Sequence, residues 1–260
     1  MLLDITRIRS ELRTRRLARQ LTYYTETTST MNDARRLYQT GDTGIAVVAD
    51  MQHAGRGRRG HHWISPKGRG LYLSCILTFP AHLPIAAAGF CCTLSILDII
   101  RDLHISDGSI KWPNDVLVNG RKVAGVLVES LHSDREMHRF TAGIGCNVTS
   151  RADDFPSELQ ESVISLEEAA GHTVEREPVF CALMQNLENR WDEVLTNGFE
   201  PLLDDWSQNC STIGRQVCIT MDDSEVAGIA ESLEPDGSLR VRKPDGTVEI
   251  CSSGMVEYAS

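Results

Sequence analysis

The chain has 260 residues, of which 41% are hydrophobic and 24% charged, a composition that predicts a folded globular protein and excludes collagen, mucin and disordered classes. No apolar run approaches the roughly 20 residues that span a bilayer, and the first residues lack the features of a signal peptide, so we expect a cytoplasmic protein without a membrane partner. The net charge of -10 divides into +7 over residues 1–70 and -17 over residues 71–260. A local cationic site on an acidic protein suits a small anionic ligand better than DNA.

Eight cysteines are scattered along the chain without a Cys-x-x-Cys pair, and no histidine lies beside them at zinc-ligand spacing. A disulfide or metal framework is the alternative interpretation. We favour reduced thiols that act as small buried hydrophobes, and we predict no residues that ligate a metal.

The first half of the chain predicts alternating helices and strands. Six arginines and an apolar helical face between Asp4 and Gln20 indicate a helix packed on the domain, with a nucleic-acid arm as the alternative. Further elements follow in order: a strand at Leu21 to Tyr24, a helix from about Asp33 to near Gly41, strands at Ile45 to Ala49 and Leu71 to Leu77, and a core helix from Pro84 to about Leu103.

A hairpin is the strongest local signal in the middle of the chain. Asn119-Gly120 suits a type I′ turn between two apolar strands, which should bring Lys111 and Lys122 near the two strands of one hairpin. Residues 140–148 predict another strand, in which Gly143 and Gly145 allow something to approach the backbone closely. We expect a mixed or antiparallel sheet.

The last hundred residues predict two helices and then a small β-domain. A short capped helix runs from Ser165 to Gly171, and a longer one begins at Pro178 with an apolar stripe. From Ile213 onward short strands alternate with Asp-Gly turns, which indicates a small β-barrel. We therefore divide the chain into a domain of residues 1–210 and a domain of residues 211–260.

Residues 55–60, Gly-Arg-Gly-Arg-Arg-Gly, are called the Gly-Arg loop below. Their backbone N–H groups and guanidinium groups can wrap a phosphate or carboxylate. A flexible surface loop and an RNA-binding tract are the alternatives, and the loop alone does not separate them from an anion site. It matches neither a P-loop nor a Gly-x-Gly-x-x-Gly turn.

The wider context resembles the biotin protein ligase family. Residues 49–60 with the downstream Trp63 resemble its signature. Lys111-Trp112-Pro113-Asn114-Asp115 and Arg121 to Gly125, with Glu129, follow at the family's spacing, and residues 143–147 resemble its glycine-rich adenylate strand. The resemblance implies an α+β fold, in which a mixed β-sheet catalytic domain of the biotin/lipoate ligase type precedes a small C-terminal SH3-like β-barrel.

The same resemblance implies an ATP-dependent enzyme that forms biotinyl-5′-AMP from biotin and ATP and then transfers biotin to a lysine of an acceptor. By this resemblance Arg56, Arg58 and Lys122 are the catalytic cations, the Gly-Arg loop closes over the ligands, and Arg59 is a supporting charge. Met31 stands where the family usually has asparagine, which departs from its pattern. The expected ligand-binding residues are Ser29, Thr30, Gln52, Gly55, Arg56, Gly57, Arg58, Trp63, Lys111, Asn114, Lys122, Gly125, Gly143, Gly145 and Asn147.

The implied substrates are ATP and biotin, with Mg²⁺ arriving on ATP, and the implied partner is a biotin carboxyl carrier domain of a carboxylase. Regulatory relatives carry an N-terminal DNA-binding domain, for which this sequence has no room, so we expect no binding to DNA; a homodimer is compatible with the family. Two alternative functions are a lipoate or octanoate ligase of the same fold, against which the two motif blocks discriminate, and a noncatalytic RNA-binding protein, which leaves the second block unexplained.

Overall fold

The computed structural model describes residues 2–39, 44–221 and 224–258. A seven-stranded sheet, in the order β1-β2-β3-β7-β6-β5-β4, forms its centre. β1 and β2 are parallel and the other neighbours are antiparallel, so the expectation of a mixed α+β fold is confirmed. The strands are β1 (Gln20–Tyr24), β2 (Ile45–Ala49), β3 (Gly70–Pro80), β4 (Gly108–Lys111), β5 (Asp115–Val118), β6 (Arg121–Ser133) and β7 (Met137–Asn147).

Helices cover both faces of this sheet. They are α1 (Ile5–Glu11), α2 (Thr30–Leu37), α3 (Ala86–Asp102), α4 (Leu166–Ala170), α5 (Arg176–Asn197) and α6 (Glu200–Gln208). Successive residues of a strand point to opposite faces. In β2, Ala46 and Val48 therefore join the large core with α3 and α5, whereas Ile45 and Val47 pack with Ala34 of α2. The large core thus lies on one face, and α2 covers only part of the other.

The N-terminal helix is shorter than predicted: it ends at Glu11 and not near Gln20. The buried carboxylate of Glu188 on α5 accepts the backbone N–H groups of Arg15, Arg16 and Leu17 at 2.7, 2.6 and 2.9 Å. These three N–H groups donate to Glu188 and not to the carbonyl groups four residues earlier in the chain. The helix therefore does not continue through them.

The predicted hairpin is confirmed, with Asn119 and Gly120 at φ of 51° and 74° between β5 and β6. The placement of Lys111 was wrong by one strand. Lys122 lies on β6, but Lys111 ends β4, which pairs with the far side of β5. The two lysines therefore flank β5.

Two helix boundaries also differ from expectation. α2 begins at Thr30 and ends at Leu37, while the predicted end at Gly41 lies outside the described residues. α5 begins at Arg176, two residues before Pro178. Its predicted apolar stripe is buried as expected, at Phe180, Leu183, Met184, Leu187, Trp191 and Val194.

A second sheet, entirely antiparallel, follows α6 in the order β11-β10-β9-β8-β12. Within residues 2–39, 44–221 and 224–258, its edge strands β11 and β12 do not pair with each other, so this SH3-like unit is open along that line. The strands are β8 (Gln216–Thr220), β9 (Glu225–Leu233), β10 (Leu239–Arg242), β11 (Val248–Cys251) and β12 (Met255–Tyr258). In the described part of the chain, no helix has the length and apolarity that a membrane crossing requires.

Candidate functional site

A cavity of about 530 Å³ opens on the face of the large sheet that α2 leaves bare. The Gly-Arg loop, strands β4 to β7 and the C-terminal sheet enclose it. Fourteen of the fifteen residues predicted to bind ligand line it, and the fifteenth, Gly55, is buried beside it. The fourteen are Ser29, Thr30, Gln52, Arg56, Gly57, Arg58, Trp63, Lys111, Asn114, Lys122, Gly125, Gly143, Gly145 and Asn147.

The Gly-Arg loop is folded back on itself. Trp63 donates its N–H to the Gly55 carbonyl at 2.9 Å, Gly57 donates to His61 at 2.7 Å, and a single 3-10 turn spans Arg58–Gly60. A Cβ at position 55 would lie 2.4 Å from the Trp63 carbonyl oxygen, so glycine is required where the two arms of the loop meet. The turn directs Arg56 and Arg58 into the cavity.

Trp63 lies flat on strands β6 and β7. Gly125 and Gly145 are direct partners across these strands. A Cβ at Gly145 would lie 2.2 Å from indole Cε2, and a Cβ at Gly125 would lie 2.9 Å from Cζ3. The indole therefore rests against the backbone of these two glycines, and a side chain at either position would collide with it.

The end of the cavity beside α2 is polar but uncharged. The Gln52 amide oxygen accepts from the backbone N–H of Thr30 at 2.9 Å and from its hydroxyl at 3.1 Å. Ser29 precedes the first residue of α2, yet its hydroxyl makes no capping bond to the helix. Gln52 thus orients Thr30, while the hydroxyl of Ser29 is left for another partner.

The opposite end is cationic. Lys122 Nζ lies 2.7 Å from Asp115 Oδ1 and 5.4 Å from the centre of the Trp63 ring. Burial lowers the pKa of Arg58, with Asp115 acting in the opposite direction, and one Arg58 N–H points to Asn114 at 3.5 Å. With Lys111 included, three cations face Asp115 here, and Glu257 also acts on Lys111. Positive charge stays in excess, so an added anion would be attracted.

Arg56 is held between the two ends. It forms an ion pair of 2.5 Å with Glu129, which also accepts from Arg35 at 3.1 Å. The same Arg56 nitrogen, Nη2, also lies 3.7 Å from the sulfur of Met31. A Cβ at Gly143 would lie 2.7 Å from that sulfur, so Met31 lies in the cavity between Arg56 and β7.

Four of the ten buried side-chain polar atoms without a partner in the described residues belong to this cavity. They are Ser29 Oγ, Arg56 Nε, Trp63 Nε1 and Asn147 Oδ1, all on cavity-lining side chains. An unpaired buried polar atom costs about 1–3 kcal/mol. Four such atoms around one space are the arrangement expected of a ligand site.

Several lining residues were not predicted. Phe155, Leu159 and the segment at 162–163 close one side, and Met255 and Tyr258 come from the C-terminal sheet. The backbone of Lys122 bonds to Ser162 and Ile164, which brings this segment to the site. No local pattern marked these residues, because their proximity depends only on tertiary packing.

Trp112 belongs to the motif of residues 111–115, but the sequence predicted no role for its side chain. Its indole N–H donates to the Gly237 carbonyl at 3.2 Å, and its backbone N–H donates to the hydroxyl of Thr212 at 3.0 Å. The peptide bond to Pro113 is cis. Trp112 therefore joins the rim of the site to the C-terminal sheet.

Two family models match the sequence. The biotin/lipoate A/B protein ligase family matches residues 21–147, and the biotin protein ligase C-terminal domain matches residues 212–257. Apart from the first residue of β1 and the last residue of β12, the first range contains the Gly-Arg loop and β1 to β7, and the second contains β8 to β12. The two models therefore cover most of the elements that enclose the cavity, but not the side closed by Phe155, Leu159 and residues 162–163.

Curated relatives agree over most of the chain. The bifunctional ligase/repressor BirA of Bacillus subtilis is 31% identical over 257 residues, which cover 97% of this chain and 78% of the relative. The biotin–[acetyl-CoA-carboxylase] ligase of Paracoccus denitrificans is 34% identical, with coverage of 85% and 93%.

Solved structures agree as well. The biotin protein ligase of Aquifex aeolicus in complex with biotin and ATP superposes with a TM-score of 0.78 at 25% identity, covering 93% of this chain and 99% of that one. The Leishmania major enzyme with biotinyl-5-AMP gives 0.58 at 25% identity, with coverage of 90% and 99%. Fold, site and relatives define a ligase of the biotin/lipoate type. More particularly, the chain belongs to the biotin protein ligase family.

Proposed function

We propose that this protein is an ATP-dependent biotin protein ligase, which forms biotinyl-5′-AMP and transfers the biotinyl group to a lysine of an acceptor protein. The proposal rests on one observation. The cavity has a neutral polar end and a cationic end, and the Trp63 indole lines it beside the cationic end. Biotin combines a neutral ureido ring with a carboxylate, and ATP supplies a base and phosphates, so the two ends suit the two halves of the adenylate.

In the first step a carboxylate oxygen of biotin attacks the α-phosphorus of ATP. A new P–O bond forms, the bond to the bridging oxygen breaks, and pyrophosphate leaves. Two anions must approach each other, which requires cations placed in advance. Arg56, Arg58 and Lys122 meet this need from two sides of the cavity, and we assign them as the catalytic cations.

Contacts at the polar end support an orienting role for Ser29, Thr30 and Gln52 toward the ureido ring. The hydroxyl of Ser29 is buried and unpartnered within the described residues, and Thr30 is fixed by Gln52 and by Ser74 at 2.8 Å. Hydroxyl and amide groups can both donate to and accept from a neutral ureido group. Met31 contributes its sulfur to this wall.

Trp63 offers the adenylate an aromatic face, and the glycines at 143 and 145 let a ligand approach the strand backbone. The Asn147 amide oxygen and the Trp63 indole N–H are buried without partners in the described structure. Gly55, Gly57, Lys111, Asn114 and Gly125 complete our proposed set of binding residues. The Gly-Arg loop acts as a lid that excludes water from the hydrolysable mixed anhydride.

In the second step the amine of the acceptor lysine attacks the carbonyl carbon of biotinyl-AMP. An amide bond forms, the carbon–oxygen bond to phosphate breaks, and AMP leaves with the pair of electrons. We propose a biotin carboxyl carrier domain as the acceptor, since the P. denitrificans relative is named as the ligase for acetyl-CoA carboxylase.

Mg²⁺ belongs to this proposal as an ion that arrives on ATP. No group of three histidine, cysteine, aspartate or glutamate side chains that could hold a metal ion occurs in the described ranges. Asp115 is the nearest carboxylate to the cationic end, and it is paired with Lys122. The residues present do not fit a dedicated metal site, so no step is assigned to a protein-bound ion.

We also propose a division into domains at residues 210 and 211, a cytoplasmic place of action and a homodimer as the assembly to test. The first is supported by the second sheet, which begins at Gln216, and by the family model that begins at residue 212. The second is supported by the eight cysteines, all of them thiols and six of them buried, as is common in a reducing compartment. Sedimentation velocity, which measures the mass of the assembly, tests the proposed homodimer.

One experiment tests the function. The protein is incubated with biotin, ATP, Mg²⁺ and a biotin carboxyl carrier domain, and intact-mass spectrometry follows the acceptor. We expect one biotinyl group on one lysine, together with pyrophosphate and AMP. Lys122→Met should slow adenylate formation by at least about a hundredfold, whereas Lys243→Met, which removes a half-buried lysine outside the cavity, serves as a matched control with parental activity. Transfer of lipoate in place of biotin would refute the assignment.

A further inference from the structure

Tyr258, on the last strand of the C-terminal sheet, lies between that sheet and the cationic end of the cavity. Two cations approach its ring: Lys111 Nζ lies 4.9 Å and Arg215 Cζ lies 4.5 Å from the ring centre. Cations within about 6 Å of an aromatic ring are attracted by its quadrupole, more strongly when water is excluded. The ring therefore links strand β12 to the end of strand β4.

The ring is held in place by the junction between the two sheets. Its hydroxyl lies 3.3 Å from the hydroxyl of Ser211 and 3.4 Å from that of Thr212. The same two residues bond to the β4 end of the large sheet. The backbone N–H of Ser211 donates to the Ile110 carbonyl at 2.8 Å, and the hydroxyl of Thr212 accepts from the backbone N–H of Trp112 at 3.0 Å. Tyr258 and Lys111 are thus fixed to one frame.

The charged ammonium group of Lys111 has few other stabilising contacts. Its side chain lines the cavity and is half-buried, and this burial lowers its pKa. Asp115, its partner across β4 and β5, has its carboxylate 2.7 Å from Lys122. Within residues 2–39, 44–221 and 224–258, Lys111 makes no ion pair of 4 Å or less. The aromatic ring takes the place of a carboxylate and leaves the ammonium group able to meet an anion from the cavity.

We infer that Tyr258 is a positioning residue, which holds the ammonium group of Lys111 toward the triphosphate of ATP, so that the C-terminal sheet completes the nucleotide half of the site. This inference rests on the proposed function. A carboxylate at position 258 would neutralise Lys111 and weaken its attraction for phosphate, whereas a ring stabilises the cation without adding a negative charge.

The test uses Tyr258→Leu, which removes the quadrupole, and Tyr258→Phe, which keeps the ring but loses the hydroxyl. With pyrophosphate release as the assay, we expect Tyr258→Leu to raise the KM for ATP about tenfold and to change the KM for biotin less than twofold. Tyr258→Phe should stay within about threefold of the parent. Ile229→Ala, which shortens a half-exposed side chain on the same sheet outside the cavity, is the matched control and should behave as the parent.

A double-mutant cycle separates positioning from a general loss of structure. If Tyr258 acts through Lys111, Tyr258→Leu raises the KM for ATP by less than twofold in the Lys111→Met background. An equal rise in both backgrounds, or a parental KM in the single variant, overturns the inference.

A second readout requires no ligase activity. Acetylation of Lys111 by a small reagent, followed by peptide mass spectrometry, should be faster in Tyr258→Leu because the ring no longer shields the amine or stabilises its cation. An acetylation rate equal to the parental one also overturns the inference. If the parent forms no biotinyl-AMP, the proposed function fails, while this rate still decides the relation between Tyr258 and Lys111.

Discussion

Replacing Gly145 by alanine tests whether the packing of Trp63 against strand β7 is essential to the site. The added Cβ would lie 2.2, 2.5 and 2.7 Å from three indole atoms. Carbon atoms pack at about 3.6 Å, so the ring would have to retreat by about 1.4 Å. The neighbouring hydrogen bond from Trp63 N–H to Gly55 prevents the backbone from following. Overpacking of this kind costs about 1–3 kcal/mol, or a fall in Tm of roughly 2–12 °C for a chain of this size.

The substitution should have its larger effect on the affinity for the ligand. We expect a nonhydrolysable sulfamoyl analogue of biotinyl-AMP, titrated calorimetrically, to bind at least about tenfold more weakly, because a displaced indole no longer presents its face to the cavity. Gly89→Ala on α3 is the matched control. Its added Cβ meets nothing closer than Val128 at 3.9 Å, and helix propensity should make it neutral or stabilising by about 0.5–1 kcal/mol. Parental affinity of Gly145→Ala for the analogue would refute the reasoning.

Three further predictions concern a lid, a carboxylate and a thiol. Arg58→Gly should let biotinyl-AMP escape and label lysines of bystander proteins, as seen by mass spectrometry; a variant that retains its adenylate as tightly as the parent would contradict the lid. Burial tends to raise the pKa of Glu188, but three backbone N–H groups outweigh it and lower that pKa, so the stability it contributes is present at neutral pH and is lost as the pH falls below about 4.3. Chemical denaturation should therefore show a smaller loss between pH 7 and pH 3.5 for Glu188→Gln than for the parent, and equal losses would count against the role. The hydrogen bond to Glu225, with a smaller effect of burial, raises the pKa of Cys218 to about 11. Glu225→Gln should speed iodoacetamide labelling of Cys218 at pH 8 by about tenfold, and an unchanged rate would show that the carboxylate does not control the thiol.

Local signals in the sequence were sufficient for most of the elements. Asn119-Gly120 predicted its hairpin because few residues tolerate two successive positive φ angles. Short apolar runs bounded by polar residues predicted the strands at Ile45 to Ala49 and Leu71 to Leu77, and the stripe on α5 predicted its buried face. The N-terminal helix was overextended, since its pattern continues to Leu17 while the acceptor that ends it, Glu188, lies far along the chain.

For the site, the sequence by itself determined which motif blocks belong together, and fourteen of their residues line one cavity. The resemblance to the biotin protein ligase family carried that information, whereas the residue types of the Gly-Arg loop indicated an anion site without excluding a flexible or an RNA-binding loop. Only the tertiary structure decided that Trp63 lies on Gly125 and Gly145, that Lys111 and Lys122 flank β5, and that Tyr258 reaches the site. The contacts of Trp63 and Tyr258 join residues distant in sequence, and the placement of the two lysines depends on the order of the strands, so no local pattern encodes them.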